Sequence, residues 1–337
     1  MKKILLLSAF AFSYLGFAQV QTLVNENFNS LTLGNLGTDV TGATPGQNNW
    51  LTLNGTNANY QVGNIDVAHG KSLSITSGNS YAASNNPNNR IAAQLTTVTA
   101  TPTNNIVKAT IDIYTGSSTG SGNYYFMIYG DVEGSNKAIG GFRLEVATRK
   151  IIGLGTFYNA TNVPTLYIVN DPATAPAFPV NTWVSVTYYY NKTTGDMTWI
   201  WPGGGVNAIA DPDAIVGMTA KDIYLQNTTS TGNTVANTVG FDNILVQFGN
   251  SSTFAVTDVK NEIADKMISV YPNPTSKILN IKVKDKIKDV TVTDMTGKKI
   301  DVKLVGTSID VENLPIGRYF ITVETNNGVF SDKFIKK

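Results

Sequence analysis

Apolar and polar residues alternate with a two-residue period over many short stretches bounded by turn-forming residues, a pattern that predicts half-buried strands. The clearest stretches are 106–114, 124–129, 141–147, 166–169, 183–190, 197–201, 223–225 and 239–248. No segment of comparable length carries the 3.6-residue period of an amphipathic helix, and no internal repeat is visible. Short strands spread evenly over roughly 230 residues predict two packed sheets of the jelly-roll kind, since sandwiching removes exposed strand edges. The expected fold is therefore all-β.

Both ends of the chain depart from this pattern. Residues 1–18 run from Met1, Lys2 and Lys3 through an apolar stretch to Gly16-Phe17-Ala18. A positive start, a short apolar run and small residues before a cut define a signal peptide, removed on export. No other apolar run approaches the ~20 residues a membrane-spanning helix needs, so no membrane-spanning segment is expected in the mature chain. Near residue 250 the charge density jumps. Residues 19–250 hold nine Lys/Arg and thirteen Asp/Glu, whereas the much shorter 251–337 holds fourteen and eleven. Two units follow: a passenger at 19–249 and a C-terminal domain at 267–337, joined by a linker at 250–266 whose small polar start, Gly249-Asn250-Ser251-Ser252-Thr253, suits a connection.

The segment NTWVSVTYYYNKTTGDMTWIWPGGG, residues 181–205, reads as a hairpin. Val184, Val186, Tyr188 and Tyr190 share one face, Trp183, Ser185, Thr187 and Tyr189 the other, and residues 191–195 turn the chain. With the closing strand VGFDNILVQF at 239–248, it resembles the hairpin of concanavalin A-like and laminin G-like jelly rolls.

In the C-terminal unit, Pro272 and Pro274 cannot donate ladder hydrogen bonds, so they end a strand at 268–271 and force a turn before one at 278–283. Gly297 and Gly317 are placed where turns call for positive φ. Ile268-Ser-Val-Tyr-Pro-Asn-Pro-Thr275, Leu279-Asn280-Ile281, Val290 to Asp294 with Thr296-Gly297-Lys298, Leu314 to Val323 and Phe334 to Lys337 together resemble the type A C-terminal sorting domain of the type IX secretion system of Bacteroidetes. That resemblance implies a small immunoglobulin-like sandwich read by the outer-membrane translocon and removed by a sorting peptidase. It also implies a passenger that is secreted or held on the outer cell surface.

Composition narrows the chemistry. The net charge is +1, which gives no field for nucleic acid. Cysteine is absent and His69 is the sole histidine, which excludes cysteine–histidine catalysis and multi-histidine zinc sites. His69 itself reads as a turn residue. Retaining glycosidases need two carboxyls ~5 Å apart, and the nearest acids in sequence, Asp131 with Glu133 and the separate Glu145, do not form the paired-acid strand motif. Gly203-Gly204-Gly205 lacks the Lys-Ser/Thr partner of a phosphate loop and reads as a turn.

Two other groups carry hypotheses. If the first and last strands pair, Glu26 and Asp242 come together as hard oxygen ligands for a structural calcium, an ion that takes about six to eight oxygens; turn acids satisfied by hydrogen bonds are the alternative. Trp199, Trp201, Trp50, Tyr60 and Tyr158 are candidate sugar-stacking rings, with core packing as the alternative for strand aromatics. The expected function is a secreted or cell-surface non-catalytic module, carbohydrate-binding or adhesive, with a polysaccharide or surface glycan as its partner. A glycan-cleaving enzyme of the same fold, hydrolase or lyase, and a purely structural surface protein are the competing readings.

Overall fold

The computed structural model describes residues 19–81, 89–254, 268–283, 285–294, 298–326 and 329–337. The expected signal peptide, most of the expected linker and Gly297 lie outside these residues. In the first unit the strands are β1 (Gln21–Glu26), β2 (Gly34–Asn35), β3 (Trp50–Leu53), β4 (Tyr60–Asn64), β5 (Lys71–Thr76), β6 (Arg90–Gln94) and β7 (Ile106–Tyr114). They continue as β8 (Gly122–Val132), β9 (Ser135–Glu145), β10 (Lys150–Tyr158), β11 (Pro164–Ile168) and β12 (Trp183–Asn191). The last four are β13 (Met197–Trp201), β14 (Gly204–Ala208), β15 (Thr219–Thr229) and β16 (Thr238–Gly249).

These strands form two antiparallel sheets. The first has the order β14-β13-β12-β7-β16-β5-β4-β2, with β1 also paired to β16; the second has the order β11-β10-β9-β8-β15-β6-β3. Their inward faces meet over one apolar core that includes Trp50, Trp199, Tyr60, Tyr124, Tyr188, Phe126, Phe142 and Phe241. Burying each such side chain contributes about 1.5–3 kcal/mol. Inside the core the Tyr124 hydroxyl accepts from Ser77 N (3.1 Å) and donates to Asn237 O (2.7 Å).

The hairpin expected at 183–201 forms, with Tyr188 opposite Trp199 and Gly195 at φ 76° in the turn. The closing strand β16 pairs with β7 along one edge. Its other edge serves β5 before a bulge and β1 beyond it, so first and last strands do pair, with Glu26 opposite Ile244. Asn243, at φ 50°, carries the bulge.

The C-terminal unit is a second, smaller sandwich. Its strands are β17 (Ser269–Tyr271), β18 (Ile278–Lys282), β19 (Ile287–Asp294), β20 (Lys299–Ile300), β21 (Leu304–Val305), β22 (Ser308–Asp310), β23 (Gly317–Thr325) and β24 (Val329–Lys336). They form four-stranded sheets of order β17-β18-β22-β21 and β20-β19-β23-β24, closed over Leu279, Ile281, Val292, Ile309, Ile321 and Phe334. Pro272 and Pro274 separate β17 from β18, as their missing N–H groups require. Gly317 corrects the expectation made for it: it opens β23 without positive φ. Among the described residues no helix is long and apolar enough to cross a membrane.

Candidate functional site

The outward face of the second sheet carries aligned aromatic and polar groups able to hold a ligand. Along β8, Tyr124, Phe126 and Ile128 point into the core, so Tyr125, Met127 and Tyr129 point out. The same parity on β9 sends Phe142 and Leu144 in and Arg143 and Glu145 out, and on β15 it sends Tyr224, Gln226 and Thr228 out. Register aligns them in rows. Arg143, Tyr125 and Gln226 lie directly across three neighbouring strands, and Gly141, Met127 and Tyr224 form the adjacent row. Met127 is buried beneath this layer, whereas the three tyrosines, Arg143 and Gln226 remain partly exposed.

Hydrogen bonding pre-orients the row. Thr228 Oγ1 donates to the Tyr125 hydroxyl (3.3 Å) and Gln226 Nε2 reaches the Tyr129 hydroxyl (3.5 Å). Each phenol accepts, so its own O–H remains free to donate outward. The rings of Tyr129 and Tyr224 lie 4.4 Å apart, tilted by 44°. Burial, then Asp222 and Tyr129, raises the pKa of Tyr224 and keeps it neutral. Arg143 Nη2 donates to Glu145 Oε1 at 2.8 Å, and Thr148 Oγ1 donates to the other carboxylate oxygen. The Arg143 Nε has no partner. Glu145 is thus the anchor of an arginine rather than the isolated acid of the sequence pattern. Gly141 keeps the row narrow: at φ 153° a side chain there would meet the Phe126 carbonyl at 2.0 Å.

Four of the five expected stacking rings lie inside the molecule. Trp50, Trp199 and Tyr60 have no exposed surface and Trp201 only 5%, so none offers a free face to a sugar and packing is the correct reading. Trp199 N–H donates to Gly141 O at 2.6 Å, tying one sheet to the other. Trp50 N–H reaches Glu26 (3.3 Å), and the Tyr60 hydroxyl accepts from Ile91 N with its pKa pushed up to about 12 by burial. Tyr158 is partly exposed, its hydroxyl bonded to Glu133, which raises its pKa. Register gave a signal for Trp199: it pairs with Tyr188, on the apolar face of Val184 and Val186. Trp183 is the tryptophan that keeps exposed surface.

Glu26 and Asp242 differ in how they are satisfied. Glu26 is buried and accepts from Phe28 N (2.6 Å), Asn48 Nδ2 (2.7 Å) and Trp50 Nε1. Asp242 is fully buried beside Asp112, its cross-strand partner; Asn243 N bonds one carboxylate oxygen and the other, Oδ2, has no partner. Burial pushes the Asp242 pKa up to about 6, with Asp112 and Glu26 adding to the rise and His69 opposing it. His69 sits in a turn laid across this spot, 3.1 Å from Asp66 and 3.6 Å from Asp112, and stacked on Trp183 at 4.1 Å. Among the described residues no three His, Cys, Asp or Glu side chains converge as metal ligands. Asp131 caps its own turn through Gly134 N.

The chain is thus an all-β protein, a two-sheet sandwich with an aromatic and polar outer face followed by a second, smaller sandwich. Residues 269–337 match the secretion system C-terminal sorting domain, which implies export by the type IX machinery to the surface or the surroundings of the cell. No curated protein matches the chain. Among solved structures, a non-specific endo-β-1,3(4)-glucanase is similar at 12% identity and TM-score 0.44, covering 68% of this chain and 92% of that one. Alginate lyase vAL-1 from Chlorella virus is similar at 8% and 0.42, covering 56% and 88%. A carbohydrate-binding module of the evolved Dit protein of Lactobacillus casei BL23 phage J-1 is similar at 11% and 0.41, covering 69% and 97%.

Proposed function

We propose that this protein is a glycan-binding module working outside the cell, with the row Arg143, Tyr125 and Gln226 and the adjoining Tyr129 and Tyr224 as its binding face. The supporting observation is that these side chains are aligned by register on a solvent-facing sheet, with partly exposed rings beside phenol O–H groups that accept one hydrogen bond and can still donate. A pyranose presents an apolar face to a ring and hydroxyls to its neighbours, which is the complement of this row. The sorting tail and a cleaved signal peptide would bring the module to a Bacteroidetes cell exterior. A structural calcium belongs to the same proposal, supported by the unpartnered buried oxygen of Asp242 beside Glu26. Asp242 would hold the ion with backbone and water oxygens, because Glu26 already accepts three N–H groups.

A polysaccharide array probed with the exported protein tests the face. Arg143→Ala with Tyr125→Ala is expected to weaken binding at least about tenfold, the loss of roughly 1.4 kcal/mol, while the melting temperature stays near that of the wild type. Binding that survives this double change refutes the location. Release of reducing ends or unsaturated sugars from a bound polysaccharide would replace the binding reading with the enzymatic one.

A further inference from the structure

The two sandwiches meet along a seam. On the sorting unit, register places Thr293, Phe320 and Lys333 in one row across β19, β23 and β24. This row faces away from the unit's own core, which takes Val292, Tyr319, Ile321 and Phe334 instead. Phe320 is nevertheless only 3% exposed, and its neighbours on both sides are held by the passenger. Thr293 Oγ1 donates to Asp171 Oδ2 (3.3 Å), while Lys333 pairs with Asp211 and lies over the Phe157 ring at 4.3 Å. Thr322 shares a hydrogen bond with Thr174 (2.9 Å), and Arg318 pairs with Asp213. An apolar centre inside a polar rim is the anatomy of a protein interface. Its charges are also sorted: the passenger supplies the acids and the sorting unit the bases. The same signs hold for the two units as wholes, since acids outnumber bases in 19–250 and bases outnumber acids in 251–337.

The seam brings two strand edges together. Strand β24 runs beside β14, and each is the last strand of its sheet. An edge strand presents a row of unpaired N–H and C=O groups that adds strands from other chains unless a charge, a proline or a bulge blocks it. Strand β14, Gly204-Gly205-Val206-Asn207-Ala208, has no charge and no proline, and its register with β13 is unbroken. The sorting unit is what stands in front of it.

We propose that the sorting unit is a removable cap: docked through this seam it closes the β14 edge, and its removal frees that edge to pair with β14 of a second copy of the passenger. Two copies of one edge strand can pair antiparallel about a two-fold axis, each supplying the groups the other lacks. The uncharged strand sets no like-charge repulsion against that pairing.

The full mature chain, carrying a specific protease site inserted between residues 255 and 266, tests both halves by sedimentation. After cutting, the wild-type pieces are expected to travel together at low salt. Asp211→Lys with Asp213→Lys is expected to raise their dissociation constant at least about hundredfold, because buried cations are left facing cations. Adding Lys333→Asp and Arg318→Asp is expected to restore association, which a misfolded variant would not do. Uncut, the wild-type chain is expected to sediment as a monomer and the Asp211→Lys, Asp213→Lys chain as a dimer, with Asn207→Lys returning that chain to a monomer. Wild-type pieces that part on cutting, or that hold together after the charge reversal, overturn the docked seam. A charge-reversed chain that stays monomeric, or that dimerises despite Asn207→Lys, overturns the capping of β14.

Discussion

Asp242→Asn isolates a carboxylate whose burial opposes its charge. The ordinary aspartate value of 3.8 holds in the unfolded chain, and folding pushes it up to about 6. Between these values the native state keeps a proton that the unfolded state has released, so stability falls as pH rises through this window and stays lowered above it. A difference of that size corresponds to about 3 kcal/mol as a ceiling. Asparagine removes the charge while its carbonyl oxygen still accepts from Asn243 N, and its amide hydrogens lie beside Asp112. At pH 4, where most of the native aspartate is protonated, the variant and the wild type should melt together. At pH 8 without metal the variant should melt roughly 4–10 °C higher, taking about 2–4 °C per kcal/mol for a chain this size. Scanning calorimetry at both pH values checks this, and a variant that melts level with or below the wild type at pH 8 refutes the reasoning. Adding calcium at pH 8 should raise the wild type and not the variant; a flat wild-type response removes calcium from the proposal.

Two further outcomes follow from burial and from the sorting unit. Trp199→Ala should cost about 3–5 kcal/mol through the cavity and the lost bond to Gly141, read as a lowered denaturant midpoint, whereas a ring serving as an exposed platform would leave stability unchanged. A chain ending near residue 255 should accumulate inside the cell envelope and fail to reach the medium or the surface in a host with type IX secretion, checked by fractionation and immunoblotting.

Much of the architecture was legible because one buried face leaves a two-residue imprint. The strands at 106–114 and 197–201 have the bounds the alternation predicts. Strand β10 was missed for the opposite reason: seven successive residues, Ile151 to Phe157, are buried, so both faces are covered and no alternation remains. Apart from the first strand, placed at Glu26 by its expected pairing, the strands before residue 100 were missed because they are short, from two to six residues. Alternation also says which residues share a face but not which face is inside. That ambiguity led to Trp199 and Trp201 as binding candidates and passed over Tyr125, Arg143 and Gln226, whose alignment depends on register between strands far apart in sequence. Asp242 was legible as a residue of interest through first-to-last strand pairing, but its unpartnered oxygen belongs to the tertiary structure.

The bulge at Asn243 makes β16 a junction at which the earliest strand of the passenger and its latest one complete each other. Strand β1 waits for a partner more than two hundred positions downstream, so this sheet closes only after nearly the whole passenger has been synthesised. Pairings so distant in sequence form slowly. The passenger therefore has a built-in delay between emergence and closure, an interval in which a chain bound for another compartment is still open enough to be carried there.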